Sequence, residues 1–378
     1  MRIAVVIGTR PEIIKMQPIM KEIQNRAKHE LIFIHTGQHN DFRTSKIFVD
    51  ELELLEPNYF LNVRSVFQGV QIGKTIAKCE GIFKTEKPDI LLVEGDTNSA
   101  LGASIASSKL GLPIGHVEAG CRSFDKSMSE EINRVLISDI AYMHFASTAN
   151  CVKNLVREGI NFNQIFLTGH PIVDLIDQLR ALTRSNGDNY NHLEKKLGIS
   201  HKRFVLMTIH RRETISNRER IKDILSACSH LARSVRVVFP CHPHTRSQIS
   251  KFSLEDYLRN IKVIQPIGYA DSLSLVKNAR LVLTDSGGIQ QEAALLSTPC
   301  ITVREVTEWV ETVNAGINFL SGYNSGQILE TVGYLETNYD DIVKKFKLAR
   351  KIFGRTGVSN KIIRIIEKKY GTFRKLDI

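Results

Sequence analysis

The sequence of 378 residues lacks the signals that mark several common classes of protein. Its six cysteines form no Cys-x-x-Cys pair, which argues against a zinc ribbon or a thiol redox centre. No apolar run approaches the roughly 20 residues that cross a bilayer. The opening segment 2–7 has the pattern of a buried strand instead of a signal peptide. We therefore expect a soluble, cytoplasmic protein with reduced cysteines and no membrane partner.

The chain also lacks concentrated charge and metal-binding spacing. Its 51 basic and 40 acidic residues leave a net charge of +11, but the basic residues occur only in short clusters such as Lys344-Lys345. This distribution favours phosphorylated metabolites over nucleic acid as partners. The sequence matches neither a His-Glu-x-x-His motif nor a paired-aspartate motif, so we expect no essential metal ion.

What the chain does contain is a regular alternation of short apolar runs and longer amphipathic stretches. Such runs indicate strands covered on both faces, and their alternation with helices indicates a parallel sheet. The predicted strands of the first half are Ile3–Ile7, Leu31–His35, Ile90–Val93, Pro113–Val117 and His144–Ala146. Those of the second half are Phe204–Thr208, Val235–Pro240, Lys262–Ile264, Leu281–Thr284 and Cys300–Val303. The pattern predicts an α/β protein with two Rossmann-like, doubly wound domains that face a cleft.

A polar segment separates the two series of strands. Leu179–His201 is typical of a connection between domains. We place an N-terminal domain at 1–172 and a C-terminal domain at 173–354. A basic amphipathic helix within 355–378 would cross back onto the first domain. Because parallel sheets bind ligands beyond the carboxyl ends of their strands, the residues after each strand are the functional candidates.

Acidic residues at the strand ends of the first domain suit acid–base chemistry. Asp96 and Glu118 lie at the ends of predicted strands, and Glu130 and Glu131 come soon after. Carboxylates gathered in a partly dry site raise one another's pKa, which favours proton transfer near neutral pH. Alternatively, Asp96 caps the helix that follows it, and Glu130 pairs with Arg134 one turn later.

The first strand ends in a segment with the features of an anion site. In Gly8-Thr9-Arg10-Pro11-Glu12, a helix start and the Arg10 guanidinium would together attract a phosphate. The segment is not Gly-x-Gly-x-x-Gly, so it does not indicate a dinucleotide cofactor. Alternatively, Arg10 is a surface charge near a turn.

The segment 284–292 gives the strongest phosphate signal. It follows a strand, and Gly287 and Gly288 open a helix whose amides can close on a phosphate, with the Ser286 hydroxyl beside them. Glu292, further along this helix, can accept hydrogen bonds from a ribose. Alternatively, this is an ordinary helix start capped by Ser286 or by the residue before it.

Two histidines follow successive strands of the second domain. His210 comes after Phe204–Thr208, and His242 comes after Val235–Pro240. A single histidine is usually structural, but two at neighbouring strand ends favour a role toward the substrate.

Together these segments resemble the non-hydrolysing UDP-N-acetylglucosamine 2-epimerases, most closely their archaeal or related bacterial members. The matching segments occur in the family's order: Gly8–Pro11, Thr36–His39, Gly95–Thr97, His116–Gly120, Glu130–Arg134, His210–Glu213, Asp285–Glu292 and Thr307–Glu311. The resemblance implies a glycosyltransferase-B-like fold, a homodimer, and interconversion of UDP-GlcNAc and UDP-ManNAc without a cofactor. UDP would leave across C1–C2 to give 2-acetamidoglucal, and would add back after C2 is reprotonated from the other face.

The resemblance also implies a role for each candidate residue. The catalytic set would be Asp96, Glu118, Glu130 and His210. The substrate- and UDP-binding set would be Arg10, Lys15, Arg134, His242, Ser286, Gly287, Gly288 and Glu292. Some bacterial relatives bind a second UDP-GlcNAc as an activator, and the corresponding positions here are Gln38, His39, Gln68 and Arg211.

The chain departs from the family pattern at a few positions. Trp309-Val310 stands where Arg-Pro is common, and His170 stands where asparagine is expected. Three other functions stay open: epimerisation of a related UDP-diacetamido sugar or uronic acid, sugar transfer by an enzyme of the same fold, and sugar-nucleotide sensing without catalysis. A transferase needs an acceptor, and a sensor would lack the acid–base residues.

Overall fold

The computed structural model describes residues 1–38, 55–185, 192–349 and 351–373. They form two compact units. The first contains Met1–Leu179 and the chain from Phe353 onward, and the second contains Arg180–Ile352. The candidate activator residue His39 lies outside the described residues.

The first unit is built on a parallel sheet whose described strands have the order β3-β2-β1-β4-β5-β6-β7. In chain order these strands are β1 (Arg2–Ile7), β2 (Glu30–His35), β3 (Tyr59–Phe60), β4 (Ile90–Glu94), β5 (Ile114–Ala119), β6 (Met143–Ala146) and β7 (Ile165–Leu167). The helices are α1 (Arg10–Gln24), α2 (Gln68–Glu86), α3 (Asn98–Lys109), α4 (Ser129–Ile140), α5 (Ala149–Arg157) and α6 (Ile172–Ser185). The winding reverses between β1 and β4, so their carboxyl ends are the expected place for a ligand.

The second unit repeats this winding with the described strand order β10-β9-β8-β11-β12-β13. Its strands are β8 (Phe204–Thr208), β9 (Arg236–Pro240), β10 (Lys262–Ile264), β11 (Leu281–Thr284), β12 (Cys300–Thr302) and β13 (Asn318–Leu320). Its helices are α7 (His192–Leu197), α8 (Arg212–Ile215), α9 (Arg218–Leu231), α10 (Pro243–Lys251), α11 (Tyr269–Asn278), α12 (Gly287–Leu296), α13 (Val310–Asn314), α14 (Ser325–Thr337) and α15 (Tyr339–Ala349). The reversal here lies between β8 and β11.

The last helix, α16 (Val358–Phe373), belongs to the first unit and packs on α1. The Asp174 carboxylate accepts hydrogen bonds from the amides of Gly357, Val358 and Ser359, at 2.6, 3.2 and 2.7 Å. A carboxylate at a helix N-terminus satisfies amides that have no partner within the helix. Asp174 therefore fastens the returning chain to the first unit.

These two doubly wound parallel sheets confirm the predicted fold class. The central strands are covered on both faces, because Ile3–Ile7 and Ile90–Val93 are fully buried. The segment 179–201, predicted as a connection between domains, contains the end of α6 and all of α7. Among the residues that the structure describes, no helix is both long enough and apolar enough to cross a membrane.

Candidate active site

The turn after β1 is held by a carboxylate of the chain itself. Glu12 Oε2 accepts hydrogen bonds from the amides of Gly8 and Thr9, at 3.0 and 2.7 Å, and its Oε1 accepts one from Thr97 Oγ1 at 2.8 Å. Burial raises the pKa of Glu12 to about 7, although the hydrogen bonds from Thr97 and Thr9 oppose this shift. The amides of Gly8 and Thr9, just before α1, are thus already bound. At this turn, the predicted anion contact depends on the half-buried Arg10 side chain.

A buried ionic cluster lies at the carboxyl ends of β4 and β5. Lys15 Nζ on α1 donates to Glu94 Oε1 at 2.8 Å and to Glu118 Oε2 at 2.6 Å. The ring of His170 lies 2.6 Å from the same Glu118 oxygen through its Nε2 atom. Glu94 and His170 were not among the predicted site residues. The only sequence signal for Glu94 is a carboxylate that ends a continuously apolar strand.

The two carboxyl groups of this cluster have opposite tendencies to ionise. Burial raises the pKa of Glu94 well above its usual value; Lys15 opposes the shift, and the charge of Glu118 adds to it. Burial also tends to raise the pKa of Glu118, but the Lys15 charge and the His170 hydrogen bond outweigh burial and hold it below its usual value. Neighbouring carboxyl groups whose pKa values are pushed apart can serve as a proton donor and a proton acceptor.

Asp96 lies next to this cluster, two residues beyond the end of β4. Its carboxylate is in contact with the Arg134 guanidinium, and its backbone oxygen accepts a hydrogen bond from Asn133 Nδ2 at 2.8 Å. Burial raises the pKa of Asp96; Arg134 opposes the shift, while the charges of Glu118 and Glu130 add to it. Asp96 is therefore near enough to both Glu118 and Glu130 to be influenced by their charges.

The observed contacts bear on the two alternatives for these carboxylates, that Asp96 caps a helix and that Glu130 pairs with Arg134. Thr97 caps α3, since its hydroxyl accepts from the Ala100 amide at 3.0 Å, and Asp96 is not needed for that purpose. Arg134 forms ion pairs with Asp96 and with Glu131. Glu130 is exposed and accepts from the Ser129 hydroxyl at 3.0 Å.

The backbone at the end of β5 is held in an unusual conformation. Glu118 has φ of 65°, and the pairing register with β6 shifts between Val117 and Ala119. A left-handed conformation in a residue with a long side chain costs on the order of 1–3 kcal/mol and is commonest at functional sites. His116 Nε2 lies 2.8 Å from the oxygen of Gly95 and connects this strand to the turn that carries Asp96.

In the second unit, a buried aspartate orders the loop after β8. Asp285, directly after β11, accepts hydrogen bonds from the amides of His210 and Arg211 at 3.1 and 2.9 Å. His210 Nδ1 lies 3.6 Å from Asp285 Oδ1, and its side chain is 54% exposed. Asp285 was predicted only as a possible helix cap, yet it positions the candidate catalytic histidine.

The predicted phosphate loop begins α12. Ser286 is the N-cap of this helix, which agrees with the capping alternative, and its own amide donates to Thr284 Oγ1 at 2.9 Å. A cation stands beside the loop, because a Cβ at Gly287 would lie 3.6 Å from Arg211 Nη2. Arg211 also pairs with Glu308 at 3.3 Å. A helix start with an adjacent guanidinium is well suited to a phosphate group.

The remaining candidates occupy separate places. Glu292 is buried within α12. His242 is exposed and caps α10, since its ring accepts from the His244 amide at 3.3 Å. Of the possible activator residues, Gln68 is exposed at the start of α2, and Gln38 Oε1 accepts from Ser99 at the start of α3.

The described residues offer one group of potential metal ligands, formed by Glu94, Glu118 and His170, whose ligand atoms lie within 4.8 Å of one another. Lys15 Nζ donates to both carboxylates of this group. The lysine ammonium therefore supplies the positive charge that these carboxylates require.

The fold and these two candidate sites are those of an enzyme: a doubly wound α/β protein with a buried cluster of acidic residues in one unit and, in the other, a glycine-containing helix start beside a guanidinium. The family model of UDP-N-acetylglucosamine 2-epimerase matches residues 21–367. The chain belongs to this family.

Individual relatives agree with this assignment. A UDP-N-acetylglucosamine 2-epimerase homolog of Methanococcus maripaludis is 43% identical over 97% of this chain and 99% of its own length. The crystal structure of Methanocaldococcus jannaschii UDP-GlcNAc 2-epimerase in complex with UDP-GlcNAc and UDP has a TM-score of 0.85 and 37% identity, covering 97% of this chain and 100% of that one. A UDP-2,3-diacetamido-2,3-dideoxy-D-glucuronate 2-epimerase of Pseudomonas aeruginosa is 36% identical over 88% of this chain and 91% of its own length.

Proposed function

We propose that the chain interconverts UDP-N-acetylglucosamine and UDP-N-acetylmannosamine. The observation that carries this proposal is the cluster in which Lys15 and His170 bind an ionised Glu118, while burial raises the pKa of both Glu94 and Asp96. Proton removal and proton delivery at one carbon require groups of this kind. The similarity to relatives named for this reaction supports the choice of substrate.

The chemistry explains why the nucleotide must leave. The hydrogen at C2 of the sugar is not next to a carbonyl group, so its direct removal is unfavourable. When the C1–O bond breaks, its electron pair leaves with UDP, the C2 proton passes to a carboxylate of the enzyme, and a C1=C2 double bond forms. Return of a proton to the other face of C2 and attack of the UDP oxygen on C1 give the epimer. The enzyme must stabilise the departing diphosphate and supply acid–base groups.

The residues divide into two sets by the contacts they make. Asp96 and Glu118 supply the acid–base groups of the first unit, with Glu130 beside them, and Lys15 and Arg134 hold the two main carboxylates. In the second unit, Ser286, Gly287, Gly288 and Arg211 are the proposed diphosphate contacts, and Glu292 is the proposed ribose contact. Arg10 stays a predicted UDP contact, and His210 stays a predicted catalytic residue. This moves Arg211 from the activator set to the UDP-binding set. His242 stays a predicted substrate contact.

Proton NMR of UDP-GlcNAc incubated with the enzyme in D₂O tests the proposal. We expect UDP-ManNAc to form without an acceptor or a cofactor, with deuterium at C2 of both epimers because the proton exchanges with solvent. Formation of the epimer without this label would contradict a proton-exchange route. If UDP-GlcNAc is not consumed without an acceptor, the glycosyltransferase alternative gains support.

The second candidate substrate is a UDP-2,3-diacetamido uronic acid, because the Pseudomonas relative named for that sugar is 36% identical. The two substrates differ at C3 and C6, where the second carries an acetamido group and a carboxylate. The values of kcat/KM for the two substrates decide between them. A value at least tenfold higher for the uronic acid would replace the first proposal.

We also propose that the chain forms a homodimer through the outer face of α4. Ile132, Val135 and Leu136 on this helix are 48%, 43% and 46% exposed, and their spacing places them on one side. Buried residues of the same helix include Arg134, which contacts Asp96. Apolar residues gathered on one exposed helix face are typical of an interface. Light scattering that gives the single-chain mass of 42.7 kDa would contradict this proposal.

We further propose that the enzyme works in the cytoplasm. All six cysteines are free and buried, which suits a reducing compartment. Recovery of the protein outside the cytoplasmic fraction of its own cells would contradict this location.

A further inference from the structure

His170 is a fully buried histidine with a fixed position in the first unit. Its amide donates to the oxygen of Phe353 at 2.8 Å, and its ring meets the edge of the Phe353 ring with 6.2 Å between the centroids. The preceding Gly169 has φ of +93°, and a Cβ there would lie 2.8 Å from the Phe353 oxygen. Only glycine therefore allows the returning chain to pack so closely beside His170.

The hydrogen bonds of the ring define its tautomer. The Ile172 amide donates to Nδ1 at 3.1 Å, so Nδ1 acts as an acceptor and carries no proton. Burial lowers the pKa of His170, although the carboxylate of Glu118 opposes the shift, and the ring stays neutral. A neutral imidazole without a proton on Nδ1 carries it on Nε2. Nε2 therefore donates to Glu118 Oε2 over 2.6 Å.

Few hydrogen-bond donors reach the carboxylate of Glu118. The charged and titratable groups that face it are Lys15 on α1, Glu94 and Asp96 at the end of β4, His116 on β5, Cys121 after β5, and His170 before α6. Among these, Lys15 and His170 are the two whose hydrogen bonds to its carboxylate the structure records, and both reach Oε2. This arrangement occupies Oε2 and leaves Oε1 as the oxygen suited to exchange a proton with a substrate.

We propose that His170 is a positioning residue of the epimerase reaction, which fixes Glu118 in its ionised form and in the rotamer that presents Oε1. The inference rests on the proposed function, because it assigns the acid–base step to Glu118. His170 itself does not exchange a proton with the substrate, since its Nε2 proton points at Oε2 and its Nδ1 faces the Ile172 amide.

Two replacements of His170 separate this role from a purely structural one. In H170N the short side chain can still accept from the Ile172 amide, as Nδ1 does, but it places no donor at the position of Nε2. In H170Q the longer amide places a donor near Nε2 and loses the Nδ1 contact. If His170 positions Glu118, the glutamine variant should keep its activity and the asparagine variant should lose it. If the role of His170 is purely structural, the asparagine variant should keep its activity instead.

Although the family pattern has asparagine at this position, Glu118 of this chain accepts its hydrogen bond from the histidine, so we expect H170N to lower kcat about tenfold or more with little change in KM, which is the scale of a weakened acid–base step. Its pH–rate profile should also change, because loss of a donor raises the pKa of Glu118 and moves the acidic limb to higher pH. H170Q should stay within about threefold of the wild type. H144Q is the matched control, since His144 is another buried histidine of this sheet whose ring contacts the backbone oxygens of Ser138 and Gln164.

The inference would be overturned if H170N, H170Q and the wild type had the same kcat and the same acidic limb of the pH–rate profile. It would also be overturned if the asparagine variant alone kept its activity. NMR of the wild type labelled with ¹⁵N-histidine provides a second test that needs no activity and no stable variant. A protonated Nδ1 at His170 between pH 6 and 8 would also overturn it. A wild type that leaves UDP-GlcNAc unchanged would refute the proposed function and this role together, whereas an active wild type with unaffected variants would refute only the role of His170.

Discussion

Glu94 and Glu118 carry the same functional group at the ends of two adjacent strands, yet their surroundings favour different protonation states. Burial dominates at Glu94 and raises its pKa, whereas Lys15 and His170 overcome burial at Glu118 and lower its pKa. Removing either partner would leave a buried carboxylate without full compensation, which proteins tolerate poorly.

Asp96 provides the most direct test of the acid–base proposal. Asp96→Asn keeps the size of the side chain but removes its charge and its ability to exchange a proton. We expect turnover of UDP-GlcNAc to fall about 10²-fold or more, the usual scale for loss of an acid–base group. Calorimetry should show nearly unchanged affinity for UDP, because the proposed diphosphate contacts lie in other segments.

Asp256→Asn is the matched control, because Asp256 is an exposed aspartate of the second unit whose ion pair is with the exposed Arg259. It should keep wild-type turnover. Wild-type turnover in Asp96→Asn would instead remove Asp96 from the mechanism, and the acid–base role would pass to Glu94 and Glu118.

At the scale of the element, the sequence predicts the long central strands well because burial on both faces leaves them continuously apolar. Among the central strands, β8 and β11 have the predicted bounds. β10 does too, although it is a three-residue edge strand with exposed or half-buried residues. The strands missed are β3, β7 and β13, which are two or three residues long and carry half-buried or exposed residues. Their pairing depends on a neighbouring strand more than on their own pattern.

The site was predictable to the extent that it lies at strand ends. Asp96, Glu118 and His210 follow strands and were found in this way. Lys15 was assigned only by resemblance, and its contact with Glu118 joins residues far apart in the chain. Glu12 contacts Gly8 and Thr9, which are close to it in the chain. The sequence did not predict this contact, because the same sequence pattern also suits phosphate binding.

The turn after β1 requires glycine because two elements approach it closely. A Cβ at Gly8 would lie 2.0 Å from Ser99 Oγ and 2.7 Å from Thr36 Oγ1. Ser99 is buried, and its hydroxyl is hydrogen-bonded to Thr36 and Gln38, so it cannot easily move. We expect Gly8→Ala to lower the free energy of unfolding by about 2 kcal/mol or more, as overpacking does. Chemical denaturation measures this loss.

Gly73→Ala is the matched control for this prediction. Gly73 is exposed on α2, and a Cβ there would meet nothing within 4 Å. Because glycine weakens a helix interior relative to alanine, this variant should gain about 0.5–1 kcal/mol. Equal effects of the two replacements would show that the close approach at Gly8 has no energetic consequence.

At the scale of the whole molecule, the two units repeat one winding and differ in their chemistry. Each has its own parallel sheet and its own reversal of strand order, where β1 meets β4 and where β8 meets β11. Acidic groups follow the strands at the first reversal, and a glycine-containing helix start follows the second. The same architecture thus carries acidic groups in one unit and a glycine-containing helix start in the other, and the proposed division between proton transfer and phosphate binding depends on these residues after the strands.

Two helix caps test whether each unit has its own cooperative core. Asp174 accepts from three amides at the start of α16 in the first unit, and Asn217 accepts from two amides at the start of α9 in the second. We expect Asp174→Ala to cost about 2 kcal/mol and Asn217→Ala about 1 kcal/mol, the range found for helix caps. Hydrogen exchange measured by mass spectrometry should show faster exchange in α16 and α1 for the first variant, and in α9 for the second. Since exchange reports opening of local cooperative segments, similar acceleration in both units by either variant would contradict separate cores.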